Sequence, residues 1–336
     1  MRGIPAEGVA EDGEAGWSEG ETSHSFICNI YFIWVWIYYF FMKKILCVCF
    51  SATYQRSIFF EDFTIGKVNR SKRYELFASG KAVNSARVLS QLEKGCAITV
   101  CPVGRDNCSE FIALSNTDGI NLNYVETDGK IRECWTLLDG KNGSTTELVV
   151  GEPVQDFCAN NYDVKILKVI SSLLDDADAL LLAGSKPSGW PKDLYSAICG
   201  IALDMKKLVL ADFIGEDLQG CLKSAVPHII KINDEEFSAT FGIPASKENI
   251  CDMSRRFGNI FVITRGVQST LAARNGDFFE CETLKVDAVN TTACGDSFNA
   301  GFLYEFLNSG NMDAALSKGT WCAAQNAKSF VPGSIL

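Results

Sequence analysis

The residues most able to do chemistry lie in one short segment, Asn290-Thr-Thr-Ala-Cys-Gly-Asp-Ser-Phe298, which leads into an apolar helical pattern. Small residues at the start of a helix leave backbone N–H groups open, and the helix dipole adds partial positive charge there. This predicts an anion site at Ala293, Cys294 and Gly295. Asp296 would lie beside a bound phosphate, where its carboxylate can take a proton from an attacking hydroxyl. The alternative is an ordinary capped helix whose acid only complements the dipole.

The elements that must position this segment are short apolar runs separated by stretches with helical spacing. Near-continuous apolar strands that alternate with helices are typical of a parallel sheet covered on both faces. Apolar stripes predict helices over 82–92 and 296–307. The expected fold is therefore α/β, with a doubly wound, mostly parallel sheet flanked by helices. The predicted strands are ILCVCF (45–50), AITVC (97–101), ALLLA (179–183), LVLA (208–211), HIIKI (228–232) and IFVIT (260–264).

Three further segments mix polar and apolar residues and are bounded by turn signals such as Asn142-Gly143. Such a mixture is typical of half-exposed antiparallel strands. We therefore expect a small antiparallel β lid over about residues 52–77 and 128–150, projecting from the doubly wound core. The three segments are RSIFFEDFTIG (56–66), IRECWTLL (131–138) and TTELVV (145–150).

The first 41 residues differ from the rest of the chain and are expected to lie outside the fold, with a single domain over 42–336. Residues 1–25 are acidic and rich in glycine and serine, which predicts disorder. Residues 26–42 are apolar and aromatic and are followed by two lysines, a pattern that also fits a short membrane anchor. The interpretation favoured over an anchor is that Met42 is the true start and that the preceding residues are not translated.

Composition argues against several classes of function. A net charge of −10 disfavours a nucleic-acid-binding surface, which needs a basic face to neutralise phosphates. The chain has only two histidines, which argues against a histidine-rich metal site and against a Ser-His-Asp triad. The 14 cysteines are scattered and form no CxxC pair, so we expect reduced, buried thiols in a cytoplasmic protein.

The segment 290–298 resembles the NTxGAGDxF signature of the ribokinase-like carbohydrate kinases, the phosphofructokinase B family. Other segments resemble motifs of the same family and follow the same order, so the resemblance covers roughly residues 42–332. The matching segments are ASGKAVNSARVL (78–89) for AGGKGxNxARVL, GSKPSG (184–189) for SGSxPxG, KINDEE (231–236) for KPNxxE and TRG (264–266) for TLG.

The resemblance implies a ribokinase-like fold and ATP-dependent phosphorylation of a sugar, with ATP and Mg²⁺ as cofactors. It makes Asp296 the catalytic base. It assigns Asn233 and Glu236 to holding Mg²⁺ and its waters, although Asn followed three residues later by Glu is also a capping box. The nucleotide side would include Ser185, Lys186, Asp212, Thr264 and Gly266, and the substrate side Tyr54, Gly80, Lys81, Asn84 and Arg132.

The motif around Lys81 narrows the expected substrate. Together with Arg132 and the GSTTE segment at 143–147, it is similar to 1-phosphofructokinase and tagatose-6-phosphate kinase rather than to ribokinase or adenosine kinase. A phosphorylated substrate needs cations, and Lys81 and Arg132 are the candidates, although either could be a solvated surface charge. Conversion of fructose 1-phosphate to fructose 1,6-bisphosphate is the first expectation, followed by tagatose 6-phosphate and then fructose 6-phosphate. Some relatives pair their lids across a homodimer, so a dimer through the lid is also expected.

The chain departs from the family pattern at several functional positions. Tyr54 stands where the NPAxD loop has an acid that grips a sugar hydroxyl, and Ser79 and Ala82 replace two glycines. Ala293 replaces the first glycine of GAGD, and a Cβ at a position that needs positive φ costs about 1–2 kcal/mol. These departures favour a second hypothesis, a relative that binds a sugar phosphate or nucleotide without turning it over.

Overall fold

The apolar runs of the sequence form one nine-stranded sheet in the computed structural model, which describes residues 42–336. The strands are β1 (Ile45–Val48), β2 (Thr53–Phe60), β3 (Arg73–Ser79), β4 (Ala97–Gly104), β5 (Leu122–Thr127), β6 (Arg132–Asp139), β7 (Ser144–Val150), β8 (Ala179–Ala183), β9 (Leu208–Asp212), β10 (Ile229–Asn233), β11 (Ile260–Arg265), β12 (Gln268–Arg274) and β13 (Asp277–Cys281). The large sheet has the order β13-β12-β11-β10-β9-β8-β1-β4-β5. Neighbours from β11 to β5 are parallel, and β12 and β13 add antiparallel strands at one edge. The predicted doubly wound, mostly parallel sheet is confirmed.

Helices flank this sheet. They are α1 (Lys81–Leu92), α2 (Cys108–Thr117), α3 (Tyr162–Leu174), α4 (Leu194–Asp204), α5 (Gly215–Ser224), α6 (Asp234–Phe241), α7 (Lys247–Phe257), α8 (Cys294–Ser309) and α9 (Met312–Lys328). The helices predicted over 82–92 and 296–307 are therefore confirmed as α1 and α8. Helix α8 packs tightly on α9, because a Cβ added to Gly301 would lie 2.6 Å from the Sγ of Cys322. This close packing fixes the helix whose first turn carries Asp296.

A second, four-stranded sheet with the order β3-β2-β6-β7 forms the lid. The pairings β2–β3 and β6–β7 are antiparallel, as predicted, whereas β2 and β6 run parallel. The parallel pair arises because β2 and β6 are joined through β3, α1, β4, α2 and β5 rather than by a hairpin turn. The strand predicted within 56–66 begins earlier, at Thr53, and ends at Phe60.

The strand order brings the carboxyl ends of the parallel strands to one edge of the large sheet, where ligands bind in folds of this type. Fully buried strands such as β8 hold that sheet between its helices. Asp212 is the last residue of β9 and Asn233 the last residue of β10. Lys81 begins α1, and Asp296 lies in the first turn of α8. Separate segments of the chain therefore deliver their polar side chains to a common edge.

The expectations for residues 1–41, including disorder, the untranslated segment and the membrane anchor over 26–42, lie outside the described residues. Within residues 42–336, no helix combines the length and the apolar character that crossing a membrane requires.

Candidate active site

A buried ionic cluster lies at the sheet edge and is centred on Asp212. The Nζ of Lys81 lies 3.0 Å from one Asp212 carboxylate oxygen, and the Nζ of Lys231 lies 3.6 Å from the other. The amide of Asn299 in α8 donates a further hydrogen bond to Asp212. Burial opposes the charge of Asp212, but the two lysines outweigh it and lower the pKa of the carboxyl to about 2. Asp212 is thus an ionised partner of two cations rather than a free group facing a nucleotide.

Asp296 is the second carboxylate of this region and has the opposite character. Its side chain is buried, and one oxygen accepts a hydrogen bond of 2.8 Å from the Nδ2 of Asn84. Burial raises the pKa of Asp296 to about 6, helped by the charge of Asp212 and opposed by Lys81, Asn84 and Lys231. A carboxyl poised near neutrality is suited to general base catalysis.

The loop before α8, where the sequence predicts an anion site, contains one strained residue, and the N–H of Cys294 donates to the carbonyl oxygen of Thr291 at 3.2 Å. Ala293 is the N-cap of α8 and has a φ of 66°, so this alanine occupies the left-handed region that favours glycine. Cys294 accepts a hydrogen bond from the Nδ2 of Asn326, and burial raises the pKa of its thiol. A Cβ on Gly295 would lie 2.9 Å from the Nζ of Lys231, so an ammonium group lies directly against this turn. Lys231 therefore adds positive charge to the open helix end.

Lys231 was absent from the predicted site residues, although it belongs to a matched motif. The signal for it is a lysine inside the apolar run HIIKI, since lysine is almost never fully buried unless it is paired. Lys81, which the sequence predicts on the substrate side, lies between several carboxylates. Its Nζ is 4.0 Å from the Oε1 of Glu236. Burial opposes its charge, but Asp212, Asp296 and Glu236 together raise the pKa of Lys81 well above its usual range.

Asn233 and Glu236 form the capping box that the sequence allowed. The Oδ1 of Asn233 accepts from the backbone N–H of Glu236 at 2.7 Å, and the Oε2 of Glu236 accepts from the backbone N–H of Asn233 at 2.9 Å. The Oε1 of Glu236 is not used by the box and points toward Lys81. The pair therefore caps α6 and still offers a carboxylate oxygen at the sheet edge.

The residues predicted on the nucleotide side spread along the ends of β8 to β11. Ser185 is exposed in the loop after β8, and Thr264 pairs in register with Asn233. Gly266, with a φ of 60°, lies in the turn between β11 and β12. The ammonium of Lys186 pairs with Asp217, so this lysine is already engaged within the protein.

The predicted substrate-side residues Gly80 and Arg132 lie where the lid meets the large sheet. Gly80 has a φ of 130°, and a Cβ there would lie 2.9 Å from the carbonyl oxygen of Ser51. Arg132 donates to the Oγ1 of Thr53 at 2.8 Å and pairs with Glu152 at 2.7 Å. A small open surface pocket adjoins this corner, and Arg132 and Ser51 are among its lining residues. The cation Arg132 and the backbone of Ser51, against which Gly80 packs, thus border this pocket.

Tyr54, predicted to contact the substrate, faces away from this region. Its hydroxyl donates to the backbone carbonyl of Asn107, and its ring packs edge-on against Phe111 at 5.7 Å between centroids. Adjacent residues of a strand point to opposite faces, so Gln55 points the other way, and its amide donates to Thr136. The hydroxyl of Tyr54 is therefore engaged within the protein, and its contact with a substrate stays a prediction. Placing the NPAxD motif one residue later in the sequence would have selected Gln55.

The lid also contacts the anion loop. The Oγ1 of Thr292 donates to the Oε1 of Glu147 in β7 at 3.2 Å, and Thr136 of β6 lies 3.4 Å from the same oxygen. The inner face of the lid, with Gln55, Thr136 and Glu147, is therefore polar and joined to the loop that begins α8.

Comparison with known proteins assigns the chain to a family. The sequence profile described as pfkB family carbohydrate kinase matches residues 44–334. The chain belongs to this family. It is therefore an ATP-dependent sugar kinase, and the resemblance found in the sequence is confirmed.

Solved structures agree with the fold of this pfkB carbohydrate kinase. A Staphylococcus aureus protein assigned as a phosphofructokinase is 23% identical, with a TM-score of 0.68 over 85% of this chain and 92% of its own. A possible 1-phosphofructokinase of Thermotoga maritima is 19% identical, with a TM-score of 0.75 over 86% and 93%. Phosphofructokinase-2 of Escherichia coli in complex with fructose-6-phosphate is 15% identical, with a TM-score of 0.74 over 85% and 94%. The same E. coli enzyme also has a tetrameric inhibited form.

The strained Ala293 yields a stability prediction. Ala293→Gly should raise the free energy of unfolding by about 1 kcal/mol, because the substitution removes a Cβ from a left-handed residue. Urea denaturation followed by circular dichroism measures the change. Ala300→Gly, in the middle of the same helix, is the control and should lower stability by about 1 kcal/mol or more. Destabilisation by both substitutions would show that Ala293 is not strained.

Proposed function

We propose that this kinase transfers the γ-phosphoryl group of ATP to a ketohexose phosphate, with fructose 1-phosphate as the first choice and fructose 1,6-bisphosphate as the product. The observation that carries the proposal is the pairing of a buried carboxyl, Asp296, with the open helix end at 293–295. A general base and an anion site on one turn supply the two needs of phosphoryl transfer, a deprotonated acceptor and stabilisation of the moving charge.

In the proposed reaction, Asp296 accepts the proton of the 6-hydroxyl as the oxygen attacks the γ-phosphorus of ATP and the bond from that phosphorus to the ADP oxygen breaks. The backbone N–H groups at 293–295 would donate to the equatorial oxygens of the phosphoryl group during transfer, that of Cys294 after leaving the carbonyl oxygen of Thr291. Lys231 lies against this turn and Lys81 lies between Asp212 and Glu236, so two cations border the path of the phosphoryl group. The carboxylate of Asp212 pairs with both lysines and holds their ammonium groups in place. Asp212 is not itself changed by the reaction.

The proposed position of ATP is the edge formed by the ends of β8 to β11. Exposed Ser185 would meet the phosphates, and Thr264 and Gly266 would border the nucleotide. Lys186 would contact the phosphates only after its ion pair with Asp217 breaks. Its contribution to ATP binding is therefore smaller than the sequence implies.

The donor set at this edge fits Mg²⁺, which we include in the proposal. Mg²⁺ prefers oxygen ligands and usually keeps several waters while binding one or two carboxylates and the substrate phosphates. The Oε1 of Glu236 lies outside the capping box, whereas the Oδ1 of Asn233 already accepts from the Glu236 N–H and would reach the ion or its waters only through its second lone pair. When bound, the ion would neutralise negative charge on the phosphates.

The acceptor is proposed to lie under the lid. The cation Arg132 supports a phosphorylated sugar, and its neighbour Lys130 lines the same pocket. Gln55 takes the inward position on β2, where an amide can both donate to and accept from sugar hydroxyls. Tagatose 6-phosphate is the second candidate and fructose 6-phosphate the third. The described cysteines are all free thiols, which supports the expected cytoplasmic location.

A relative that binds these ligands without turnover is the second candidate function. The observation in its favour is the positive φ of Ala293, because strain in the anion loop can displace the N–H groups that stabilise the phosphoryl group.

Steady-state ADP release, measured on the full chain with each of the three sugar phosphates, tests the proposal. Fructose 1-phosphate should give the highest kcat/KM. Asp296→Asn should lower kcat by about 10²- to 10⁴-fold, because it removes the general base. Asp313→Asn is the matched control, since Asp313 is an exposed acid in the first turn of α9. ATP binding without turnover of any of the three sugars would favour the second candidate.

The raised pKa of Asp296 predicts where kcat falls on the acidic side of its pH profile, which is called the acid limb below. The base must be ionised, and its pKa is raised to about 6, so kcat should fall as the pH drops through about 6. The fall should approach about tenfold per pH unit. Measuring kcat at saturating substrates between about pH 5 and 8 locates this limb. A rate that stays constant down to pH 5 would exclude a base with this pKa.

A homodimer through the lid is also proposed. Every residue of β7 is exposed, and Trp135 and Leu148 pair across β6 and β7 with exposed fractions of 39% and 45%. Leu148→Lys should therefore shift the full chain toward monomer in sedimentation velocity. Val164→Lys, at an exposed position of α3, is the control and should leave the mass unchanged. A monomeric wild-type protein at micromolar concentration would contradict the proposal.

A further inference from the structure

We propose that Ser79 is a positioning residue for Asp296 and acts through the side chain of Asn84. The inference rests on the proposed function, in which Asp296 is the base. Ser79 stands at a position where the similar family motif has a glycine. Because glycine has no side chain, that motif does not include this contact.

The contact is a short chain of buried hydrogen bonds. Ser79 is the last residue of β3, and its Oγ donates to the Oδ1 of Asn84 at 2.9 Å. The Nδ2 of Asn84 then donates to the Oδ2 of Asp296 at 2.8 Å. Ser79, Asn84 and Asp296 are 3%, 4% and 6% exposed, so water does not compete strongly for these bonds. Ser79 is thus linked to the base through one intervening side chain.

A second donor fixes the orientation of the Asn84 amide. The NH1 of Arg87 also donates to the Oδ1 of Asn84, at 3.1 Å. A guanidinium group has no acceptor, so the amide oxygen must face Arg87 and Ser79 and the amide nitrogen must face Asp296. Arg87 is itself held by Asp118 and by the carbonyl oxygen of Pro332. A flipped Asn84 would turn its oxygen toward a carboxylate and lose two donors.

The two donors come from different parts of the fold. Arg87 lies on α1, the same helix as Asn84, whereas Ser79 lies on a strand of the lid. Ser79 pairs in register with Thr53, whose Oγ1 accepts from Arg132. Without Ser79, the amide oxygen of Asn84 would accept a hydrogen bond only from Arg87 of the same helix, α1. The Ser79 hydroxyl therefore adds a second hydrogen bond, which comes from the lid. Its loss should leave the fold intact and the amide less constrained.

The charged groups around Asp296 define the expected effect on its titration. Lys81 faces it from α1, Asp212 from β9 and Lys231 from β10. These charges stay in place when Ser79 changes, so a difference in the rate profile reports on the Asn84 bond. A less constrained amide stabilises the ionised carboxyl less well, and the acid limb should therefore move to higher pH.

The test compares Ser79→Ala and Ser79→Gly with a matched control in the full chain. Each variant should lower kcat about fivefold, the rate equivalent of one neutral hydrogen bond, with little change in KM. The acid limb should move up by about half a pH unit. Ser79→Cys keeps a weak donor and should fall between serine and alanine. Ser57→Ala is the control, because the Ser57 hydroxyl is buried in the same lid without a partner among the described residues.

A readout that does not need turnover separates this proposal from the proposed function. In protein labelled with ¹³C at aspartate carboxyls, the Asp296 signal is assigned by its absence in Asp296→Asn. Its titration midpoint should be higher in Ser79→Ala than in wild type or Ser57→Ala. An unchanged midpoint, or rates and profiles equal to those of Ser57→Ala, would overturn the positioning role. Absence of turnover in wild type with a shifted midpoint would overturn the proposed function alone.

Discussion

Two lysines that share one buried carboxylate hold the candidate active site together. Asp212 is almost fully buried between Lys81 and Lys231, and a charge at that depth is tolerated only when it is paired. The three residues come from the end of β9, the start of α1 and the body of β10, so their pairing fixes these elements relative to one another. The same lysines partly compensate the burial of Asp296, which keeps the pKa of that carboxyl near 6 instead of higher. Removing either cation would therefore disturb the geometry and the base together.

The two sheets contribute different parts of the candidate active site. The large sheet, α1 and α8 supply the two cations, Asp296 and the start of the helix that carries it. The lid supplies a polar inner face, which reaches the anion loop through Glu147 and Thr292. The lid and the loop that begins α8 therefore meet at a hydrogen bond between side chains.

Much of the fold and part of the site could be predicted from the sequence. Buried parallel strands are continuous apolar runs, and the segment 290–298 combines a helix start with an acid, so both were recognisable without coordinates. The choice between Tyr54 and Gln55 for the acid's position depends on a shift of one residue along a strand, which reverses the face, and sequence matching alone does not fix that register. Lys231 was overlooked because its partner, Asp212, is brought to it only by the strand order. The parallel β2–β6 pairing likewise depends on the path of the chain and has no local signature.

The uncovered edge strand β7 affects the tendency of the protein to aggregate in solution. An edge strand presents unpaired N–H and C=O groups, and in β7 these accompany exposed Leu148, Val149 and Val150 without proline or lysine within the strand. Such an edge can template pairing with any extended chain, which is how ordered aggregates begin. A monomer with β7 exposed is therefore the form of this protein most prone to aggregate, and any partner that covers the strand also protects the chain's solubility.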